Sequence, residues 1–185
     1  MRHCRSADVW WIKSGYELSL MIDEARLQRE LKGLSGWARF RAFTILSMPA
    51  GAFVGLRLVR ADADVCVTSI PGGWRSQNPF KTMYWAAQGM AAELATGAVP
   101  FAISRSTKRG IRMFVVGTEA TFVKRAKGKV VFTCEDIAAA RAAIEETLAT
   151  GEKIDLDMRA VGRDSDGDIV SEWVFKWNFR ARENR

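Results

Sequence analysis

Residues Asn78-Pro79-Phe80-Lys81-Thr82-Met83-Tyr84-Trp85-Ala86-Ala87-Gln88-Gly89-Met90-Ala91-Ala92-Glu93-Leu94 form a loop that runs into a helix. Asn78 and Pro79 are turn formers, and beyond Thr82 the apolar residues Met83, Ala87, Met90 and Leu94 recur at helical spacing. The spacing predicts a helix over 82–96, with Gly97 as its stop. Gly89 costs intrinsic helix stability, but with Ala86, Ala87, Ala91 and Ala92 it makes a slim surface that a curved sheet can approach closely. On a helical wheel Glu93 falls beside Ala86, on the shoulder of the apolar stripe, which predicts a partly buried carboxylate. Such a group, with no base nearby, has a raised pKa and can act as general base or nucleophile. The first turn of the helix offers amide N–H groups without intrahelical acceptors, a cradle for a carbonyl oxygen or an oxyanion.

Outward from this helix the chain reads as strands with flanking helices. Upstream, Met21–Glu24 opens a helix carrying Ile22, Leu27, Leu31 and Leu34. Ser35 is placed to cap a second helix to about Ser47, ended by Pro49 and Gly51. Phe53–Arg60 and Asp64–Ile70 are β-rich and join as a hairpin across Ala61-Asp62-Ala63. Downstream, Met113–Lys124 and Lys129–Glu135 read as a strand pair around Lys127-Gly128, and Asp136 caps an alanine-rich helix that ends near Gly151. Two strands with strict alternation close the chain: one carries Ile154, Leu156, Met158 and Ala160, the other Trp173, Phe175, Trp177 and Phe179. Asp164-Ser165-Asp166-Gly167-Asp168 between them has the outline of a calcium loop. Its glycine comes fourth rather than sixth and no glutamate follows at the twelfth position, so a hairpin around Asp166-Gly167 is the better reading. The order predicts an α+β domain over 50–182, with about six antiparallel strands wrapped round a central helix. Helices at 22–49 precede it. Residues 1–21 read as poorly ordered or as an extension, with Met21 as a natural start.

Composition narrows the chemistry. The 185 residues are 48% hydrophobic and 26% charged, a globular balance. No run of 18 uncharged apolar residues occurs; the nearest, Ala42–Leu56, is broken by Pro49 and closed by Arg57. No membrane partner and a cytoplasmic location are expected. Cys4, Cys66 and Cys134 are odd in number and widely spaced, which argues against a disulfide framework or a zinc site, and no metal or cofactor is expected. The single histidine is His3, so a Ser-His-Asp triad or Cys-His pair in the folded body is excluded. The net charge of +7 gathers in Arg105, Lys108, Arg109, Arg112, Lys124, Arg125, Lys127 and Lys129, which suits an anionic ligand or a solvated rim. Nucleic acid is disfavoured, because no aromatic-interleaved RNA motif accompanies these residues.

The Asn78–Leu94 stretch resembles the hotdog-fold acyl-CoA thioesterases of the phenylacetyl-CoA thioesterase type, and more closely their less characterised relatives. Those proteins carry an asparagine, a histidine six residues on followed by glycines, and an acid nine residues beyond. Asn78, Tyr84 and Glu93 match that spacing; Tyr84 stands in place of the histidine, and Trp85-Ala86 in place of the glycine pair. The resemblance implies a hotdog fold, Glu93 as catalytic acid or base, Asn78 and Tyr84 at the reacting centre, and amides near Trp85 and Ala86 on the thioester carbonyl. Arg105, Lys108, Arg109, Lys124 and Arg125 would receive the phosphates of a CoA-like carrier. Nine helical residues separate Tyr84 from Glu93, about 13–14 Å at the standard rise. One subunit therefore cannot bring both to a single bond, and a homodimer, or a tetramer built from it, is expected. The alternative is an acyl-CoA or lipid binder without turnover, in which Tyr84 and Trp85 close the reactive end.

Overall fold

The computed structural model describes residues 21–183; the expectations for 1–20, including His3 and Cys4, lie outside them. Helix α1 (Glu24–Ser35) is capped by Asp23, whose carboxylate accepts from the Arg26 amide at 2.9 Å. Ser35 is not a cap. It is the last residue of α1, and Gly36 alone joins α1 to α2 (Trp37–Ser47) with no side-chain cap bond. Pro49 does not end the helical segment either. It opens a third helix, α3 (Pro49–Val54), where its fixed φ and missing N–H suit the first turn. Phe53 and Val54 are thus helical rather than extended, and Gly55, at φ 81°, supplies the left-handed turn into strand β1 (Arg57–Ala61).

β1 and β2 (Cys66–Ile70) pair as the expected antiparallel hairpin, Ala61 opposite Cys66. The central helix α4 (Trp85–Arg105) is longer than its spacing predicts. It passes through Gly97 and even Pro100 because thirteen of its 21 residues are buried, so tertiary packing outweighs the local stop signal. Strands β3 (Ile111–Phe122), β4 (Val130–Cys134), β5 (Ile154–Arg163) and β6 (Ile169–Ala181) complete one antiparallel sheet in the order β1-β2-β4-β5-β6-β3, with helix α5 (Ile137–Thr150) inserted before β5. β3 and β4 are not a hairpin. β3 pairs with β6 along its whole length at the far edge, where the long aromatic face of β6 gives it more surface than β4 could. The loop from β3 to β4 crosses the β5–β6 turn and is clasped there. Asp164 accepts from the Lys127 amide at 3.2 Å, and Lys127 pairs with Asp166 at 2.7 Å and Lys124 with Asp168. Asp136 is the N-cap residue of α5, but its carboxylate accepts from the Arg159 amide at 2.6 Å instead of capping.

The sheet wraps α4, which touches all six strands. Contact is closest along one stripe. A Cβ on Gly89 would lie 3.2 Å from the Trp173 ring, and one on Gly97 would lie 2.9 Å from that of Trp177. Thr96 holds the Trp177 ring in place, accepting from its indole N–H at 2.9 Å. Replacing Gly97 by Val should therefore overpack this contact and cost about 1–3 kcal/mol. Chemical denaturation measures it; an unchanged midpoint would mean that helix and sheet can part.

Candidate functional site

The loop before α4 is built by Asn78. Its Oδ1 accepts from the amides of Phe80 at 3.0 Å and Thr82 at 3.2 Å and from the Thr82 hydroxyl at 3.1 Å. The loop-shaping role weighed for Asn78 is therefore fully occupied on the oxygen side. Lys81 takes φ 60° at the crest of this turn. The Tyr84 amide donates to the Ser76 carbonyl at 2.7 Å, which fixes where the helix begins. Tyr84 is the N-cap residue, half exposed, and its ring meets Trp85 edge to face at 5.7 Å. Ala87 and Gln88 donate to the Tyr84 carbonyl, whereas the Trp85 and Ala86 amides have no acceptor among the described residues. The two N–H groups that the sequence singles out are thus free to bind an oxygen.

Glu93 differs from its expected burial: its side chain is exposed in the single chain. It occupies the Gly89–Gly97 stripe, one turn from each glycine, on the side of α4 that faces β6. No cation pairs with it among the described residues. The protein around it still withholds enough water for desolvation to push its carboxyl above the ordinary range. The neighbouring sheet surface is bare. Thr118, Ala120 and Phe122 lie opposite Phe175, Trp173 and Ser171, hence on the helix-facing side, yet all three are exposed. Phe122 meets Trp173 edge to face at 5.5 Å, and Trp173 stacks on Phe175 at 5.9 Å. An open trough with an aromatic floor thus runs between α4 and the second half of β3, with Glu93 on its wall.

Sequence reasoning missed Gln88. It is buried in the first turns of α4 and accepts from the Ser171 hydroxyl at 2.8 Å, which in turn accepts from the Trp173 indole at 3.0 Å. A lone amide among alanines and glycine was the available signal. The basic residues do not form one patch. Arg105, Lys108 and Arg109 sit at the C-terminal end of α4, and Lys124 and Arg125 sit beyond the other end of β3, about 36 Å away at the usual strand rise. Arg105 pairs with Glu30 at 3.4 Å, Arg109 donates to the carbonyls of Leu148 and Arg182, and Lys124 is held by Asp168. Of the five, Lys108 and Arg125 have no ion pair or side-chain hydrogen bond among the described residues.

Other chemistry is poorly served. Cys66 and Cys134 face each other across β2 and β4, and burial pushes both thiols up to about 12, so neither is a thiolate at neutral pH. Asp164, Asp166 and Asp168 offer three oxygens within 4.8 Å of one another, but two of these carboxylates pair with lysines and the third accepts backbone N–H groups. A concavity of about 410 Å³ lined by Thr133, Asp136, Arg159 and Arg163 opens on the outer face of the sheet, away from α4 and Glu93.

Because desolvation alone raises the Glu93 pKa, the folded state holds this proton more tightly than the unfolded state. The ionised carboxylate then costs stability, a cost absent below the usual carboxylate pKa and present above the folded one. Replacing Glu93 by Gln should raise the thermal midpoint at pH 7, and the gain should vanish as the pH falls below the carboxylate range. A variant less stable at pH 7 would reveal a cation holding this carboxylate.

Comparison with known proteins bears on the architecture. Residues 36–179 match the family model described as "Domain of unknown function (DUF4442)". No curated protein matches the chain. Among solved structures, a Pseudomonas aeruginosa protein titled "Probable Thioesterase" superposes with TM-score 0.66 at 19% identity, over 78% of this chain and 96% of its own. A Haemophilus influenzae thioesterase gives 0.57 at 12% identity, over 78% and 91%. A Staphylococcus aureus thioesterase gives 0.55 at 11% identity, over 72% and 99%. At these identities the likeness concerns the fold, which is the hotdog fold.

Proposed function

The chain belongs to the DUF4442 family, and from its hotdog fold, shared with thioesterases, and the trough beside Glu93 we propose that it hydrolyses an acyl thioester such as an acyl-CoA. The observation that carries the reading is the pairing of two acceptor-free amides at the start of α4 with an unpaired, desolvated carboxylate two turns along it. In this mechanism Glu93 takes a proton from water as the water oxygen attacks the thioester carbon, or attacks that carbon directly. The carbonyl oxygen becomes an oxyanion held by the Trp85 and Ala86 N–H groups. Collapse breaks the C–S bond, and in the water route the Glu93 proton passes to the departing thiolate. In the direct route the thiolate leaves an acyl–Glu93 anhydride, which water hydrolyses to the free acid and the Glu93 carboxylate, with one proton of that water passing to the thiolate. Asn78 keeps the loop in shape and offers its amide nitrogen to substrate, and Tyr84 borders the reacting centre.

The two halves of this machinery are about 12 Å apart along one helix, so they act in pairs drawn from two subunits. β3 suits that assembly. It is a twelve-residue edge strand whose outer backbone groups have no strand partner among the described residues, and its side chains Phe114, Val116 and Phe122 are at least half exposed. Antiparallel pairing of β3 with its copy would extend the sheet, cover the trough and set Glu93 against the partner's helix start. Lys108 and Arg125 are the residues best placed for carrier phosphates, since the other three of the five cations are engaged. A cytoplasmic enzyme of this kind needs no cofactor.

Two experiments test the reading. Glu93→Gln should reduce hydrolysis across a panel of aliphatic and aryl acyl-CoAs by about 10²–10⁴-fold, with the fold retained by circular dichroism. Unchanged turnover removes Glu93 from the chemistry, and tight binding without turnover in the native protein favours the acyl-CoA binder. Phe114→Lys with Val116→Lys should convert a dimer to a monomer by light scattering and remove activity with it. An active monomer would end the two-subunit site.

A further inference from the structure

Between Ala42 and Leu56 the chain carries no charged residue. The run does not span a bilayer, and no helix among the described residues is long and apolar enough to cross one. It folds into the second half of α2 and all of α3; Val54 and Leu56 enter the core, but three large side chains stay outside it: Ile45 is 54% exposed, Leu46 84% and Phe53 54%. Phe40 and Thr44 bury one side of α2 against the domain, whereas Ala38, Ala42, Ile45 and Leu46 point outward, uncovered among the described residues, beside Arg39 and Arg41. An apolar helix side is suited to burial, and the domain leaves this one bare. The face is continuous with its neighbours. Phe53 meets exposed Trp74 edge to face at 5.7 Å, and Arg41, one turn from both Trp37 and Ile45, reaches the Ala52 carbonyl of α3 at 2.8 Å.

Beside this face lies a groove of about 260 Å³ between α2, the start of β1 and the loop after β2. Its lining combines Trp37, Leu56 and Leu58 with the guanidinium groups of Arg41, Arg57 and Arg75, and it includes no carboxylate. None of these three arginines is in an ion pair among the described residues, although Arg60, Arg105, Arg141 and Arg180 all are. A bare apolar helix pair rimmed by unpaired arginines and two exposed tryptophans is complementary to one surface above others: apolar tails below, anionic headgroups above. The helices also satisfy their own backbone, so the face asks nothing directional of what covers it. We infer that α2, α3 and the arginine groove dock the protein on the surface of a bilayer containing anionic phospholipid. The face adjoins β1, at the opposite sheet edge from β3, so docking leaves the proposed subunit contact free.

The test uses the full chain and phosphatidylcholine vesicles with or without phosphatidylglycerol, read by co-sedimentation. Binding should require phosphatidylglycerol and weaken with salt. Ile45→Ser with Leu46→Ser should abolish it, and Arg57→Gln with Arg75→Gln should weaken it about thirtyfold, at roughly fivefold for each basic side chain lost. All variants are checked for fold by circular dichroism. Absence of association overturns the inference, as does association that neither pair of substitutions alters. Displacement by inorganic phosphate at constant ionic strength overturns it too, since it would assign the groove to a soluble anion. Hydroxyl-radical footprinting of the lipid-free protein should find Trp37, Leu46 and Phe53 reactive. Protection there, from a second copy or from the chain's own remaining residues, also overturns it.

Discussion

The close approach of α4 to β6 is the contact on which the rest of the structure depends. Gly89 and Gly97 bring the helix within van der Waals reach of the Trp173 and Trp177 rings, and any larger side chain would push helix and strand apart. The rings are fixed from the polar side as well, through Ser171 and Gln88 at one end and Thr96 at the other. Apolar burial supplies most of the driving force. These indole hydrogen bonds settle which face of each ring the helix meets, and an unpaired buried indole N–H would cost more than the bond gains.

The same stripe explains the setting of Glu93. It stands between two points of near contact, and the protein around it desolvates its carboxylate although the side chain is exposed. Beyond β6 the sheet continues to β3, over whose exposed second half no helix lies among the described residues, α5 packing against β5 and β6 instead. Among the described residues the domain is therefore incompletely covered at its β3 edge. That edge carries backbone groups seeking a strand and an aromatic floor seeking a lid.

Much of this was legible in the sequence, for identifiable reasons. The alternation in Ile154–Ala160 and Trp173–Phe179 reflects one wet and one buried sheet face, and a period of two survives any tertiary context. Small residues in α4 announced the close approach. Local rules failed where packing overrode them: Gly97 read as a stop but is held in helix by burial, as Pro100 is beyond it, and Pro49 read as a terminator but serves as a first residue. The pairing of β3 with β6 was hidden because the turn at Lys127-Gly128 imitates a hairpin, while the partner that matters lies fifty residues on. The exposure of Glu93 was not readable either. A helical wheel assigns a direction, not how far the sheet extends in that direction. The basic cluster shows the same limit, since neighbours in sequence were separated by the length of a strand.

Among the described residues the β3 edge and the α2–α3 face are both uncovered apolar surfaces, and their chemistry differs in a way that separates their uses. β3 presents unpaired N–H and C=O groups, and these are costly to bury unless another backbone meets them in register. Only a strand can cover that edge well, which restricts it to specific protein contact. The α2–α3 surface has no such demand, because its backbone bonds are internal, and its side chains ask only for removal from water. The charged residues that line its groove are all arginines, which biases it to an anionic surface rather than to a neutral or mixed one. With β1 and β3 at opposite ends of one sheet, the strand edge can be saturated by a copy while the helical face remains available. A single curved layer around one helix thus holds a directional contact at one margin and a non-directional one at the other.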